Sequence, residues 1–276
     1  MTLSRSHGEG EAGQAAAYPP ARATALYQAG HYAEAEAEAR SVAAARAPLH
    51  DDPFGPLALG IAGLAAIAQG HHAEALATFE ALLPDFGRIF GAEHPMTLKL
   101  RTDRAQALNL LGRHDACEAE CVDVMRTAAL NATPETPFIV MAALNGRIAA
   151  LNALGDHPAV EGLARDFLAA PREPDQPTLI VLLSLALSLH AQGRHEEALA
   201  AAERAGEVYR GLPPEQRGPE TGAVDLAAAS ALLALGRRSE ARSRAAAAHD
   251  ACLAAFGPDN VRTGQARALL DRIGGA

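Results

Sequence analysis

The sequence of 276 residues has no tryptophan, and aromatic residues make up only 4% of it. Because hydrophobic residues still account for 49%, a core must be built from small aliphatic side chains, chiefly alanine and leucine. Such side chains favour closely packed helices. Cysteine is scarce as well, with three residues and no CxxC pair. An odd number of thiols fits a reducing compartment, so we predict a cytoplasmic protein.

Basic residues are outnumbered by acidic ones, and almost all of them are arginine. The chain has 24 Lys and Arg against 33 Asp and Glu, which gives a formal net charge of −9. A chain of this charge is not attracted to a phosphate backbone, so we expect no nucleic-acid partner. Lys99 is the only lysine, a bias typical of a high-GC bacterial genome.

Long uninterrupted apolar runs are missing. The longest, residues 179–189, has eleven residues and contains two serines, whereas a membrane span needs about 20. We therefore predict no membrane partner. The first twenty residues also lack the basic start and apolar run of a targeting signal. We expect a disordered tail over residues 1–17, one repeat domain over 18–273 and a short tail over 274–276.

Two sets of residues recur along the chain at nearly constant intervals. A glycine followed by a polar residue and an alanine-rich segment recurs every 38 to 43 residues, at Gly30, Gly70, Gly112, Gly155, Gly193 and Gly236. A proline recurs every 39 to 42 residues, at Pro53, Pro95, Pro137, Pro177, Pro219 and Pro258. Proline suits the first turn of a helix and glycine ends one. Each unit is therefore predicted to be a helical hairpin, with an A helix before the glycine and a B helix after it.

Small or medium apolar residues occupy fixed offsets from these glycines. They stand seven and four residues before each glycine, and five and nine residues after it. At five residues after the glycine they are Ala35, Ala75, Cys117, Val160, Ala198 and Ala241. At nine residues after it they are Ala39, Phe79, Cys121, Ala164, Ala202 and Ala245. Small residues at such offsets let helices approach to about 8 to 10 Å, so these positions are predicted to lie at the helix crossings.

A small residue, a large one, a glycine turn and then alanine at the crossing is a pattern that resembles the tetratricopeptide repeat (TPR). The unit is nearer 42 residues than 34, and residues 79–120 are similar to the kinesin-light-chain-like bacterial variant, whose connector reads LGxxHPxTL. Residues 254–273 resemble the same connector and a last A helix, with Asn260 and Val261 replacing His and Pro. The resemblance implies an all-α fold, an α-solenoid in the form of a right-handed TPR superhelix. We expect about six helical hairpins plus a C-terminal capping helix, and a short first A helix after Pro20.

The sequence has no constellation that indicates an enzyme or a metal site. Six histidines follow a repeat glycine by one or two residues, where the family has its turn aromatic: His31, His71, His72, His114, His157 and His195. No two histidines show the i, i+4 spacing of a helical metal site. Cys117 and Cys121 are four residues apart but occupy crossing positions, so we interpret them as small hydrophobes. GxSxG, HExxH and glycine-rich phosphate loops are missing. We therefore expect no enzymatic activity, no catalytic residue, no metal and no cofactor.

The resemblance also implies a concave groove lined by A helices, with the residues three, six, ten and thirteen before each glycine facing it. Asparagine can pair with the main chain of an extended peptide, or it can simply be solvated, and both readings stay open for the central repeats. The candidate groove residues are Lys99, Asn109, Asn145, Asn152, Ile180, Leu183, Leu187 and His190. Basic residues are too few on this stripe to predict a clamp for an acidic C-terminal tail.

The function predicted from the sequence is a non-enzymatic scaffold that binds a protein or an extended peptide segment in this groove. The alternative is a peptide-responsive regulatory sensor that acts on a separate effector protein. The apolar side of the fifth A helix, with Leu183 and Leu187, marks a docking surface. A partner segment or a second copy in a homodimer would cover it there, unless a loop or the superhelical curvature covers it internally.

Overall fold

The computed structural model describes residues 20–47, 52–170 and 173–275. The expected tail over residues 1–17 lies outside these ranges. Within them, the α-helices are α1 (Ala21–Gln28), α2 (Tyr32–Arg46), α3 (Phe54–Ala68), α4 (His72–Ile89), α5 (Pro95–Leu110), α6 (His114–Leu130), α7 (Thr136–Leu154), α8 (His157–Ala169), α9 (Gln176–Ala191), α10 (His195–Gly211), α11 (Pro214–Arg217), α12 (Ala223–Ala234), α13 (Arg238–Phe256) and α14 (Val261–Gly274). A 3₁₀ turn over Gly218–Glu220 follows α11.

The element order confirms the predicted class, an all-α solenoid of six hairpins followed by one more helix. The A and B helices alternate as α1 with α2, α3 with α4, α5 with α6, α7 with α8, α9 with α10, and α12 with α13. The first A helix has only eight residues, as expected from the position of Pro20. The last helix, α14, packs against α13 and α12.

The repeat glycines end the A helices through a left-handed backbone. All six have φ between +74° and +84°, a region that side chains with a Cβ adopt only under strain. At Gly193 the next amide, of Arg194, donates to the carbonyl of Leu189 at 2.9 Å. This six-residue closure satisfies a carbonyl that the helix end would otherwise leave open. The glycine positions therefore fix where each hairpin turns.

The prolines follow the prediction at four of six positions. Those at or beside the first residue of a helix are Pro53, Pro95, Pro137 and Pro177. The prediction is wrong for Pro219, which lies in the 3₁₀ turn, and for Pro258, which precedes α14 by three residues. Helix α12 begins instead after Gly222, whose φ of +76° sets the direction of entry. A residue type that favours helix starts also favours turns, so the pattern alone could not separate the two.

The crossing positions after the repeat glycines are confirmed as buried, whereas Leu26, four residues before Gly30, is only half-buried. All twelve residues five and nine positions after the repeat glycines are at most 1% exposed. The set includes Cys117 and Cys121, which are buried as the small hydrophobes that we predicted. Phe79 is the one large side chain in the set, and its ring lies where a Cβ on Gly63 would be. The A helix there can approach Phe79 only because residue 63 has no side chain.

The chain divides into two compact units, Met1–Ala150 and Leu151–Ala276. In the first unit, the core is built around Phe79, Leu98 and Leu108. In the second, a cluster around Leu179 and Leu182 holds α9 in place. Of the candidate groove residues, Lys99, Asn109 and Asn145 belong to the first unit. Asn152, Ile180, Leu183, Leu187 and His190 belong to the second.

Helix α7 is the one element in the described ranges that is long and apolar enough to cross a membrane by length and composition. Asn145 and Arg147 interrupt its apolar residues, so the sequence did not predict it as a candidate. Core helices of other proteins pass the same test, and Arg147 in the middle of α7 pairs with Glu118 of α6 at 3.2 Å. This ion pair joins α7 to the preceding helix of the array.

Candidate functional site

Helix α9 is apolar around most of its circumference, and only part of that surface is used in the core. Leu179, Leu182 and Leu189 are at most 2% exposed, so they form the packed side. The opposite side keeps solvent contact, and Leu187 in particular is 55% exposed. An exposed leucine beside other apolar side chains is the kind of surface that marks a docking site.

This side of α9 opens onto a cavity of about 600 Å³ in the second unit. Three helices, α9, α12 and α14, supply its walls. The lining from α9 includes Ile180, Leu183, Ser184, Leu187 and His190. The lining from α12 includes Ala223, Leu226, Ala227 and Ser230, and that from α14 includes Arg262, Gln265, Ala268, Leu269 and Arg272. A volume of this size can enclose several side chains of a bound segment.

Most of the cavity surface is apolar even where serine contributes to it. The hydroxyl of Ser184 donates to the carbonyl of Ile180 at 2.9 Å, and that of Ser230 donates to the carbonyl of Leu226 at 2.9 Å. Each hydroxyl is thus paired within its own helix. The middle of the cavity therefore offers methyl and methylene groups, and its charged groups lie toward the two ends.

One end of the cavity carries a neutralised ion pair. Arg262 of α14 lies 3.3 Å from the carboxylate of Glu220 and donates to the carbonyl of Thr221 at 3.1 Å. Burial raises the pKa of Glu220, although the positive charge of Arg262 opposes the rise. These contacts attach the start of α14 to the turn before α12, so this end of the wall is held in place.

The other end carries His190 and Arg272. The His190 ring packs against that of His195, with centroids 4.9 Å apart. Its Nδ1 atom is buried and has no hydrogen-bond partner in the part of the chain that the structure describes. Arg272 also makes no ion pair or hydrogen bond with the described residues. An exposed guanidinium and a half-buried imidazole thus lie at this end of the cavity.

The stability of the fold should depend on pH through His190. Burial, followed by the neighbouring His195 and Arg272, lowers the pKa of His190. The unfolded chain therefore binds this proton more readily, so the contribution to stability is complete above the ordinary pKa of about 6.5 and decreases as the pH falls below it. We expect wild type to lose more unfolding free energy between pH 7.5 and 5.5 than His190→Gln, as measured by urea denaturation. Equal losses would show that His190 does not contribute.

The structure brings together four of the eight candidate groove residues. The same cavity, that between α9, α12 and α14, is lined by Ile180, Leu183, Leu187 and His190, as their offsets from Gly193 indicated. Leu183 also packs against the core cluster around Leu179, so it is only partly available to a ligand. Whether these residues bind a partner stays a prediction.

The sequence prediction missed the wall that α14 contributes, because α14 was interpreted only as a cap. The connector before α14, around Asn260 and Val261, contained the information needed to place it. In repeat three, the groove residues Lys99, Thr102 and Gln106 follow His94 of the connector by five, eight and twelve residues. The same counts from Asn260, which replaces that histidine, give Gln265, Ala268 and Arg272. That count would have placed Arg272 on the groove side.

Two polar candidates of the first unit, Lys99 and Asn109, are engaged with neighbouring side chains. The Lys99 ammonium donates to both carboxylate oxygens of Asp103, at 2.6 and 2.7 Å. The side-chain oxygen of Asn109 lies 2.7 Å from Nδ1 of His114, the turn histidine. Asn109 therefore fixes its own turn, which is a structural use that its spacing did not indicate.

The two asparagines of α7 differ from Asn109. The Oδ1 atoms of Asn145 and Asn152 are buried and have no hydrogen-bond partner among the described residues. A buried amide oxygen without a partner is unfavourable by about 1 to 3 kcal/mol, and as placed it is closed to a ligand. Their predicted pairing with a peptide main chain would require the side chains to turn outward, and it stays a prediction.

Metal-ligating side chains do not cluster in the described ranges. No group of three or more His, Cys, Asp or Glu is placed there so that it could hold an ion. The cavity offers apolar contact, the Glu220–Arg262 ion pair, the Arg272 guanidinium and the His190 imidazole. These groups suit recognition of another molecule.

Comparison with solved structures places this arrangement of helices in a known architecture. A kinesin light chain from Podosopora anserina with nearly identical TPR-like repeats matches 69% of this chain and 92% of its own, with a TM-score of 0.59 and 20% identity. The chain has a TPR-like fold. A second structure of that kinesin light chain matches with a TM-score of 0.58 and 20% identity over 72% of this chain and 96% of its own.

Another match covers nearly the whole chain. Acl4, an assembly chaperone of RpL4, matches 92% of this chain and 95% of its own, with a TM-score of 0.53 and 15% identity. No family model and no curated protein matches the sequence. At these identities the TPR-like solved structures establish the fold, and the function has to be argued from the cavity.

Proposed function

We propose that the protein is a non-enzymatic scaffold that binds a peptide segment of a partner protein in the cavity between α9, α12 and α14. The observation that supports this is the exposure of Leu187, at 55%, on the wall of a cavity of about 600 Å³. An exposed leucine on this wall does not stabilise the unbound protein. A partner side chain that covers it removes apolar area from water, which favours binding. Two of the walls, α9 and α12, are A helices, and the third is α14. The A helices are the elements expected to line the groove.

A neighbour of the same architecture supports the class of function. Acl4 is described as an assembly chaperone of RpL4, so a helical repeat array of this kind can serve another protein rather than a small substrate. The cavity itself offers no nucleophile with an adjacent base. Binding without chemistry is therefore the role that its residues suit.

The test is selection of random twelve-residue peptides, displayed as a library, on the full chain. Enriched peptides should bind wild type and lose at least about tenfold in affinity to Leu187→Glu, because a carboxylate cannot be buried against apolar side chains without a partner. Leu253→Glu is the matched control, since Leu253 is 42% exposed on α13 and lies outside the cavity lining. Circular dichroism and urea denaturation check that both variants stay folded.

Other outcomes would contradict the proposal. Peptides that bind wild type and Leu187→Glu equally well would place the binding surface elsewhere. Failure to enrich any peptide would remove the argument for a peptide ligand. If light scattering shows a dimer that Leu187→Glu converts to a monomer, the surface belongs to a second copy of this chain.

A further inference from the structure

The ends of the cavity differ in charge, and this difference limits what can bind. At the α14 start, Arg262 is paired with Glu220. Arg272 lies ten residues further along the same helix, about 15 Å away, and forms no ion pair with the described residues. Arg272 is exposed, so its charge is available to a ligand that reaches this end of the cavity. A ligand with one negative group would be oriented by this end.

His190 adds a second unsatisfied group at the same end. Its buried Nδ1 lacks a hydrogen-bond partner among the described residues, and it lines the same cavity as Arg272. A carboxylate at this end would accept a charge-assisted hydrogen bond from the guanidinium of Arg272, with the ring of His190 lining the cavity beside it. Neither an alcohol nor an amide would use the charge of Arg272 to the same degree.

A second depression shows how a bound segment could continue beyond this point. It has a volume of about 670 Å³ and is lined by Leu233, Gly236, Arg238, Asp271, Arg272 and Gly275. Because Arg272 borders both depressions, a segment that occupies both passes this residue in its middle. The negative group that meets Arg272 is then an acidic side chain within the segment rather than a terminal carboxylate.

We propose that the partner segment is apolar and acidic: its aliphatic side chains cover Leu187 and Leu226, and an internal Asp or Glu side chain pairs with Arg272 beside the ring of His190. This inference rests on the proposed function and specifies its ligand. The apolar part supplies the burial, and the acidic side chain fixes the direction in which the segment lies.

The experiment uses the enriched peptides described above, synthesised with an acetylated N-terminus and an amidated C-terminus so that only side chains carry charge. We expect them to share an acidic residue a few positions from aliphatic ones. Arg272→Gln should weaken binding at least about tenfold, since a charge-assisted hydrogen bond is lost. Replacing the peptide's acidic residue by its amide should cause a similar loss in wild type and little further loss in Arg272→Gln.

Arg267→Gln is the matched control, because Arg267 is exposed on the same helix and does not line the cavity. A charge swap tests the same contact through a gain in affinity. A peptide whose acidic residue is replaced by lysine should bind Arg272→Glu more tightly than it binds wild type. The swap separates a direct pairing from a general disturbance of α14.

The outcomes distinguish the two proposals. Peptides that lose affinity to Leu187→Glu but bind Arg272→Gln like wild type would overturn the acidic contact and leave the scaffold proposal intact. Peptides that bind only with a free C-terminal carboxylate would overturn the assignment to an internal side chain. Peptides insensitive to both variants would overturn both proposals.

Discussion

Replacing Phe79 by alanine lowers the free energy of unfolding by about 3 to 5 kcal/mol, the usual range for a fully buried phenylalanine. Its ring is 0% exposed and fills the space that Gly63 leaves on the neighbouring helix. Alanine at residue 79 would leave a cavity that Gly63 cannot fill. Urea denaturation followed by circular dichroism measures the change.

A double-mutant cycle makes this prediction specific to the pair. Gly63→Ala alone should destabilise the fold, although alanine favours helices over glycine by about 1 kcal/mol, because its Cβ would overlap with the Phe79 ring. In the double variant Gly63→Ala with Phe79→Ala, the new methyl group occupies part of the vacated space. The double variant should therefore be more stable than the sum of the single effects indicates, and strict additivity would contradict the contact.

Replacing Gly222 by alanine lowers the free energy of unfolding by about 2 to 5 kcal/mol, through a strained left-handed backbone and overpacking together. Its φ is +76°, and a Cβ there would overlap with Sγ of Cys252 and lie 3.1 Å from the carbonyl oxygen of Ala248. Because Gly222 directly precedes α12, relief of the overlap would displace a wall of the cavity.

Gly236→Ala is the control, since Gly236 has the same φ of +76° but no atom within 4 Å of an added Cβ. It should show only the backbone cost, about 1 to 2 kcal/mol. Urea denaturation of both variants gives the comparison. If both variants lose the same free energy of unfolding, the packing around Cys252 tolerates a methyl group and the overlap does not destabilise the fold.

The periodicity of the sequence predicted the hairpins because glycine acts locally. A positive φ is set by the residue itself, so Gly193 or Gly236 could be recognised without knowledge of distant contacts. The burial of positions such as Ala198 followed from the same count. The loop before α12 was not predictable in this way, because Arg217 holds it through a hydrogen bond to the carbonyl of Arg210 at 2.7 Å. Such a contact forms only once the loop has taken its path, so the spacing of residues in the sequence does not predict it.

The candidate site was predictable only where it follows the repeat. Leu187 and His190 lie on the cavity because their offsets from Gly193 repeat those of other units. Arg272 was missed because no repeat glycine was assigned to its helix. The partner of Asn109 could not be deduced either, because the offset gives the face of a helix and not the side chain across the turn. Pairing between polar side chains depends on rotamers, which periodicity does not specify.

The alanines at the helix crossings also affect the conformational entropy of folding. Alanine has no side-chain rotamers to lose, whereas a buried leucine or isoleucine loses about 0.5 to 1 kcal/mol of rotamer freedom. Positions such as Ala35, Ala75, Ala198 and Ala241 are at most 1% exposed, so they join helices closely at almost no entropic cost. Each crossing buries little apolar area in return, so many small, inexpensive contacts together stabilise the hairpins.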